Sequence, residues 1–223
     1  MSEPKHGFLH IGKTGGTTIR NAIRMAKRHS DGTIKFFGHN VQLKKLFQNT
    51  DISISFVVRD PIERFVSGFN SRLRNGRPLH NIPWQPNEAI SFLFFPTAND
   101  LAEGLEGGDE RTTSAAMFAT KAINHLRRNL TFHLISPEFL DEHKERIYFV
   151  CDTSSIDDNL RNILAPLGLD DSAPQPMTKR LHVNPNKSLA ALSESAREKL
   201  RRHLADEYEI YEYCKNNLFR LNL

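Results

Sequence analysis

Residues Gly7 to Arg20, GFLHIGKTGGTTIR, restrict the fold more than any other part of the chain. Phe8, Leu9 and Ile11 make a short apolar run, the size of a buried strand. Gly12-Lys13-Thr14-Gly15-Gly16-Thr17-Thr18 follows as a small-residue turn, and Ile19, Ile23 and Ala26 then begin a helical spacing. Strand, glycine turn and helix, in that order, present backbone N–H groups and a helix N-terminus to an anion. Lys13 adds a mobile cation, and Thr14, Thr17 and Thr18 add hydroxyls. The stretch reads as a phosphate or sulfate cradle.

Gly7-x4-Gly12-Lys13-Thr14 also satisfies the Walker A spacing GxxxxGK[ST]. In a Walker loop the four variable residues belong to the loop. Here they are Phe8-Leu9-His10-Ile11, which read as the strand itself, so the match is taken as accidental. The rival it would support is a P-loop kinase or NTPase, which needs Mg²⁺ and a γ-phosphate.

The remaining pattern alternates strands with helices. The first helix is expected over Thr17–His29, a strand over Thr33–Phe37, a short helix over Val41–Phe47 and a strongly apolar strand over Ile52–Val58. Asp60-Pro61 marks a helix start, with Asp60 as N-cap and Pro61 in the first helical position. Ile62, Phe65, Val66, Phe69 and Leu73 form its apolar stripe, Arg64, Ser67 and Ser71 its polar side, and Asn75-Gly76 its stop. Helices near Asn87–Phe95, Asn99–Glu106 and Glu110–Asn124 make a helical insertion at about 77–128. Strands at Phe132–Ile135 and Ile147–Val150, a helix over Ser155–Leu167, a polar loop over Ser172–Lys187 and helical periodicity over Leu192–Asn217 complete the chain. The expected fold is α/β, a P-loop-like three-layer arrangement with a central parallel β-sheet flanked by helices. Ligands in such sheets lie at the carboxyl ends of strands.

Composition narrows the partners. A chain of 223 residues with 39% hydrophobic and 25% charged content suits a single domain, 1–223. A net charge of +4 suits an anionic ligand but is too small and dispersed for nucleic acid. Cys151 and Cys214 show no metal-binding spacing, no carboxylate cluster suggests Mg²⁺, and no apolar run is long enough to span a membrane. The first residues, MSEPKHG, resemble neither a signal nor a transit peptide, so a cytoplasmic location is expected.

Three strand ends carry polar residues expected to converge: Lys13 to Thr18, then Gly38-His39-Asn40, then Arg59 with Ser67 two turns into the following helix. A guanidinium fork and a hydroxyl on one rigid corner can hold a phosphate. Two anion sites are therefore expected, one at the cradle and one at the corner.

These residues carry a resemblance. HIGKTGGTT is similar to the HIPKTGGT signature of sulfotransferases that use 3′-phosphoadenosine 5′-phosphosulfate (PAPS), and FVVRDPIERFVSGF resembles their LRDPxxRxxSxF motif. The motifs stand in the family's order, about 45 residues apart. The carbohydrate enzymes, such as the heparan sulfate 2-O- and 6-O-sulfotransferases, are the nearest in pattern. Clear resemblance covers Phe8 to Phe69, and Gly12 departs from the usual proline.

The resemblance implies that Lys13, Thr14, Gly15, Gly16, Thr17 and Thr18 hold the 5′-phosphosulfate, that Arg59 and Ser67 hold the 3′-phosphate, and that His39 is the catalytic base. Lys13 would also neutralise charge on the bridging oxygen as its bond breaks. The late polar loop of such enzymes closes over the nucleotide, which makes Lys179, Arg180 and Lys187 candidates, Lys187 foremost. The products would be the sulfated acceptor, favoured as a saccharide, and 3′-phosphoadenosine 5′-phosphate (PAP), with no metal required. His10 reads as a core histidine inside the first strand, and Trp84 as a packing residue. A non-catalytic nucleotide- or sulfated-ligand-binding module is the remaining alternative.

Overall fold

The computed structural model describes residues 5–29, 32–78, 80–168 and 191–219. They group into two compact units, one comprising 5–59, 130–168 and 209–219 and the other 60–129 and 191–208.

The first unit is built on four parallel strands, β1 (His6–Leu9), β2 (Ile34–Phe37), β3 (Ser53–Val58) and β4 (Ile147–Asp152), in the order β2-β1-β3-β4. Leu9 pairs with both Phe37 and Phe56, and Val58 pairs with Asp152. All four carboxyl ends therefore open on one edge of the sheet. Helices cover both faces, as a parallel sheet requires. On one face α1 (Gly16–Ala26) and α10 (Ile156–Leu164) pack Ile19, Ile23, Leu160 and Ile163 against Phe8, Val57 and Phe149. On the other, α2 (Leu43–Asn49), α8 (Leu130–Leu134) and α9 (Pro137–Glu142) bring Leu46, Phe47, Leu134 and Leu140 onto Leu9, Ile54 and Val58. The α/β, three-layer, helix-flanked parallel sheet expected from the sequence is the fold.

The second unit is helical. It contains α3 (Pro61–Leu73), α4 (Pro86–Phe94), α5 (Ala98–Gly104), α6 (Glu110–Ala122), α7 (Asn124–Arg127) and α11 (Glu194–His203) around Phe65, Phe69, Leu101, Ala119 and Leu200. The segment at about 77–128 lies wholly within it. Asp60 caps α3 by accepting from the Glu63 N–H at 3.0 Å, with Pro61 in the first turn, and Asn75 and Gly76 follow in left-handed conformation.

Several sequence expectations change. Phe132–Ile135 is not a strand. Leu130, His133 and Leu134 are buried at helical spacing, and this apolar face outweighs the β-favouring composition of a short run. The Leu192–Asn217 periodicity is interrupted at Leu204. There α11 ends and α12 (Ala205–Tyr213) begins, and a π-helical turn follows over Cys214–Leu218. Arg64 and Ser71 do not lie on a polar surface but are buried. The Ser172–Lys187 loop, with Lys179, Arg180, His182 and Lys187, lies outside the described residues.

Candidate active site

The cradle begins where β1 ends. Gly7 lies within β1, so the variable residues of the formal Walker match start inside the strand. A Cβ on Gly7 would stand 2.6 Å from the Phe37 ring, which accounts for that glycine by packing rather than by phosphate binding. The turn proper runs from His10 to Gly15. Lys13 (φ 71°) and Gly15 (φ 80°) are both left-handed, which is costly for a lysine and free for a glycine. Left-handed residues inside a turn aim successive N–H groups into a concavity, which is the geometry of an anion nest. Gly15 caps α1 without a side-chain hydrogen bond, its carbonyl accepting from the N–H groups of Thr18 and Ile19 at 2.9 and 3.3 Å.

The threonines differ in role. Thr14 is buried, and its hydroxyl donates to the Ile11 carbonyl at 3.0 Å, which commits the side chain to holding the turn. Thr17 and Thr18 are half-buried in the first turn of α1. Gly16 is fixed by its neighbour: a Cβ there would fall 1.8 Å from Cδ2 and 2.2 Å from Nε2 of His10. The His10 imidazole therefore lies directly against the N-terminus of α1.

His10 stands just past β1 rather than inside it, its backbone N–H donating to the Phe37 carbonyl at 2.8 Å. Its ring centroid is 4.0 Å from that of His39, on the turn after β2, with the rings tilted by 48°. Burial, and then the electrostatic influence of His39, His133, Arg20 and Lys13, lower the His10 pKa to about 3, so the ring is neutral near pH 7. His10 is buried, as the sequence suggests, but beside a second imidazole and not within the strand. The signal available was its position at a strand's end immediately before the glycine turn.

Arg59 ends β3. Its Nη1 donates to the Lys13 carbonyl at 3.5 Å, a long hydrogen bond that places the guanidinium at the wall of the cradle. The end of β4 is tied to the same edge, with the Thr153 hydroxyl donating to the Val58 carbonyl at 2.9 Å. Asp152 accepts from the Ser154 and Tyr211 hydroxyls at 2.6 and 3.1 Å. Cys151 is a buried free thiol with its pKa pushed up to about 12, principally by desolvation.

Ser67 belongs to the second unit, half-buried in the second turn of α3. Arg64, three residues earlier, is fully buried. Its Nη2 donates to Glu207 Oε2 at 3.1 Å and its Nη1 to the His125 carbonyl at 3.0 Å, so it is spent inside this unit. Trp84 donates its indole N–H to the Arg72 carbonyl at 2.7 Å and packs on Phe92, but it stays exposed instead of joining the core as the sequence suggests. Among the described residues no group of three or more His, Cys, Asp or Glu is placed to hold a metal, and no helix is long and apolar enough to cross a membrane.

The carboxyl edge of this parallel sheet thus carries a left-handed lysine–glycine turn, a helix N-terminus, an arginine and an imidazole pair on an α/β fold. The family is more specific: the model of the Sulfotransferase family matches residues 3–214, and the chain belongs to that family. It is thus a transferase that moves sulfuryl groups. No curated protein and no solved structure gave a significant match to the chain.

Proposed function

We propose that this enzyme transfers the sulfuryl group of PAPS to a hydroxyl of an acceptor, with His39 as general base. A saccharide acceptor is favoured by the resemblance to the carbohydrate enzymes. The observation that carries the reading is the juxtaposition within one unit of the α1 N-terminus with the His10–His39 ring pair, 4.0 Å between centroids. An anion cradle and an imidazole thus adjoin at one sheet edge.

The residues present fit the donor nucleotide. The N–H groups of Gly15, Gly16 and Thr17 and the hydroxyls of Thr17 and Thr18 suit the 5′-phosphosulfate, with Thr14 holding the turn from beneath and the Thr18 N–H closing it onto the Gly15 carbonyl at 2.9 Å. Arg59 supplies a guanidinium fork for a phosphate. Ser67 and Lys187 remain in the assignment on the sequence resemblance. Bound there, the nucleotide supplies an activated sulfuryl group on a phosphate leaving group. Lys13 offsets the negative charge that develops on the bridging oxygen as that bond breaks. His39 takes the proton of the attacking hydroxyl, a task suited to an imidazole near neutral pH. By analogy with phosphoryl transfer, positioning and charge stabilisation supply most of the catalysis.

The test is a titration of the purified protein in EDTA. PAP is expected to raise the melting temperature and to bind calorimetrically without Mg²⁺, and ATP to do so much less. Stabilisation by Mg·ATP and not by PAP would overturn the assignment in favour of a kinase or NTPase.

A further inference from the structure

Three histidines meet at the carboxyl edge of the sheet, and they are not equivalent. His39 is half-buried on the turn after β2. His133 is fully buried on α8, and its Nδ1–H donates to the Val41 carbonyl at 2.9 Å; a carbonyl only accepts, which fixes the tautomer. Val41 in turn donates its N–H to Gly38 at 3.2 Å. The segment bearing His39 is therefore fastened from one side by His133 acting through Val41. The His10 ring also lies against it, seated edge-on to Phe36 at 5.3 Å and wedged over Gly16.

We propose that His10 is a positioning residue for His39, its ring setting the orientation of the His39 ring beside the cradle. The proposal rests on the reading of His39 as the base. Geometry assigns the parts. His10 is buried and pinned through its backbone and three neighbours, whereas His39 is half-exposed on a turn. The His10 ring is seated hard against Gly16, where one added methyl would overlap it. The electrostatics agree. A neutral His10 places no charge beside His39, whereas two imidazolium rings at this separation would repel. His10 thus orients without competing for the proton.

The experiment compares His10→Gln, His10→Phe and His39→Ala with the unaltered enzyme, using PAP affinity as the check that fold and cradle persist. The first readout is the histidine ring NMR spectrum of the PAP complex. The ring current of His10 should give His39 displaced, sharp ring signals. His10→Gln is expected to return them towards exchange-averaged positions, and His10→Phe, which retains a ring face, to keep them displaced. The second is transfer from radiolabelled PAPS to a mixture of desulfated glycosaminoglycans. His10→Gln is expected to lower kcat by about 10- to 100-fold with the donor KM within about threefold, and His39→Ala by about 10²- to 10⁴-fold. Unchanged His39 signals in His10→Gln would overturn the positioning role, even where His39→Ala is inactive. Should His39→Ala retain turnover while His10→Gln still loosens the ring, the base assignment fails and the positioning contact survives.

Discussion

The Arg59 guanidinium holds the backbone carbonyl of Lys13, at 3.5 Å, across the ends of two adjacent parallel strands. Lys13 adopts a left-handed conformation that a lysine rarely takes, and such a conformation persists only where its surroundings enforce it. Arg59 is one of those surroundings. It therefore has two tasks in the proposed site, bracing the cradle and presenting its guanidinium charge to the nucleotide.

This double role predicts coupling. Lys13→Ala and Arg59→Ala are each expected to weaken PAP binding by roughly 10- to 100-fold, the loss of one charge-assisted contact. The double variant should lose less than the sum, because removing Arg59 already loosens the turn that carries Lys13. A coupling energy above about 0.5 kcal/mol in a calorimetric double-mutant cycle checks this, and strict additivity would mean that the two cations act independently.

Gly16→Ala is expected to disable the site without touching any charged group. The new methyl would stand 1.8 Å from the His10 ring, so either the ring or the start of α1 must move. Overpacking of this kind costs about 1–3 kcal/mol. The variant should melt lower and lose PAP affinity. Gly38→Ala, where a Cβ meets nothing within 4 Å, is the matched control and should do neither through contact.

Much of this was legible in the sequence because the informative signals were local. The cradle, the Asp60-Pro61 helix start and the β3 strand each announce themselves within a dozen residues, through glycine placement, capping chemistry and an unbroken apolar run. What was not legible depends on residues distant in the chain. Arg64 reads as a helix-surface residue until Glu207, 143 positions away, is seen to bury it. His10 reads as core until His39 is found against it, and α8 reads as a strand because five residues are too few for periodicity to outweigh composition.

The Arg64–Glu207 pair carries a stability prediction. Both side chains are almost wholly buried, and Arg64 also donates to the His125 carbonyl. Removing one partner leaves an uncompensated buried charge, which costs about 3–5 kcal/mol. Arg64→Met and Glu207→Leu should each be strongly destabilised in chemical unfolding, and the double variant less than either. If Arg64 instead touched ligand, Arg64→Met would lower PAP affinity with little loss of stability.

The neutral His10 sets a pH dependence whose sign follows from its burial. The unfolded chain protonates this histidine near 6.5, whereas the folded protein does so only at about 3, first because of burial and then because of the electrostatic influence of His39, His133, Arg20 and Lys13. Between those values the unfolded state binds the extra proton, so stability falls as pH is lowered from 6.5 towards 3 and is fully present above 6.5. A single such group contributes a slope of up to about 1.4 kcal/mol per pH unit in that window. Unfolding midpoints measured from pH 7.5 to 4.5 should therefore decline, and His10→Gln should flatten the decline while starting from a lower midpoint at pH 7.5. An unchanged slope in that variant would place the acid sensitivity in another group.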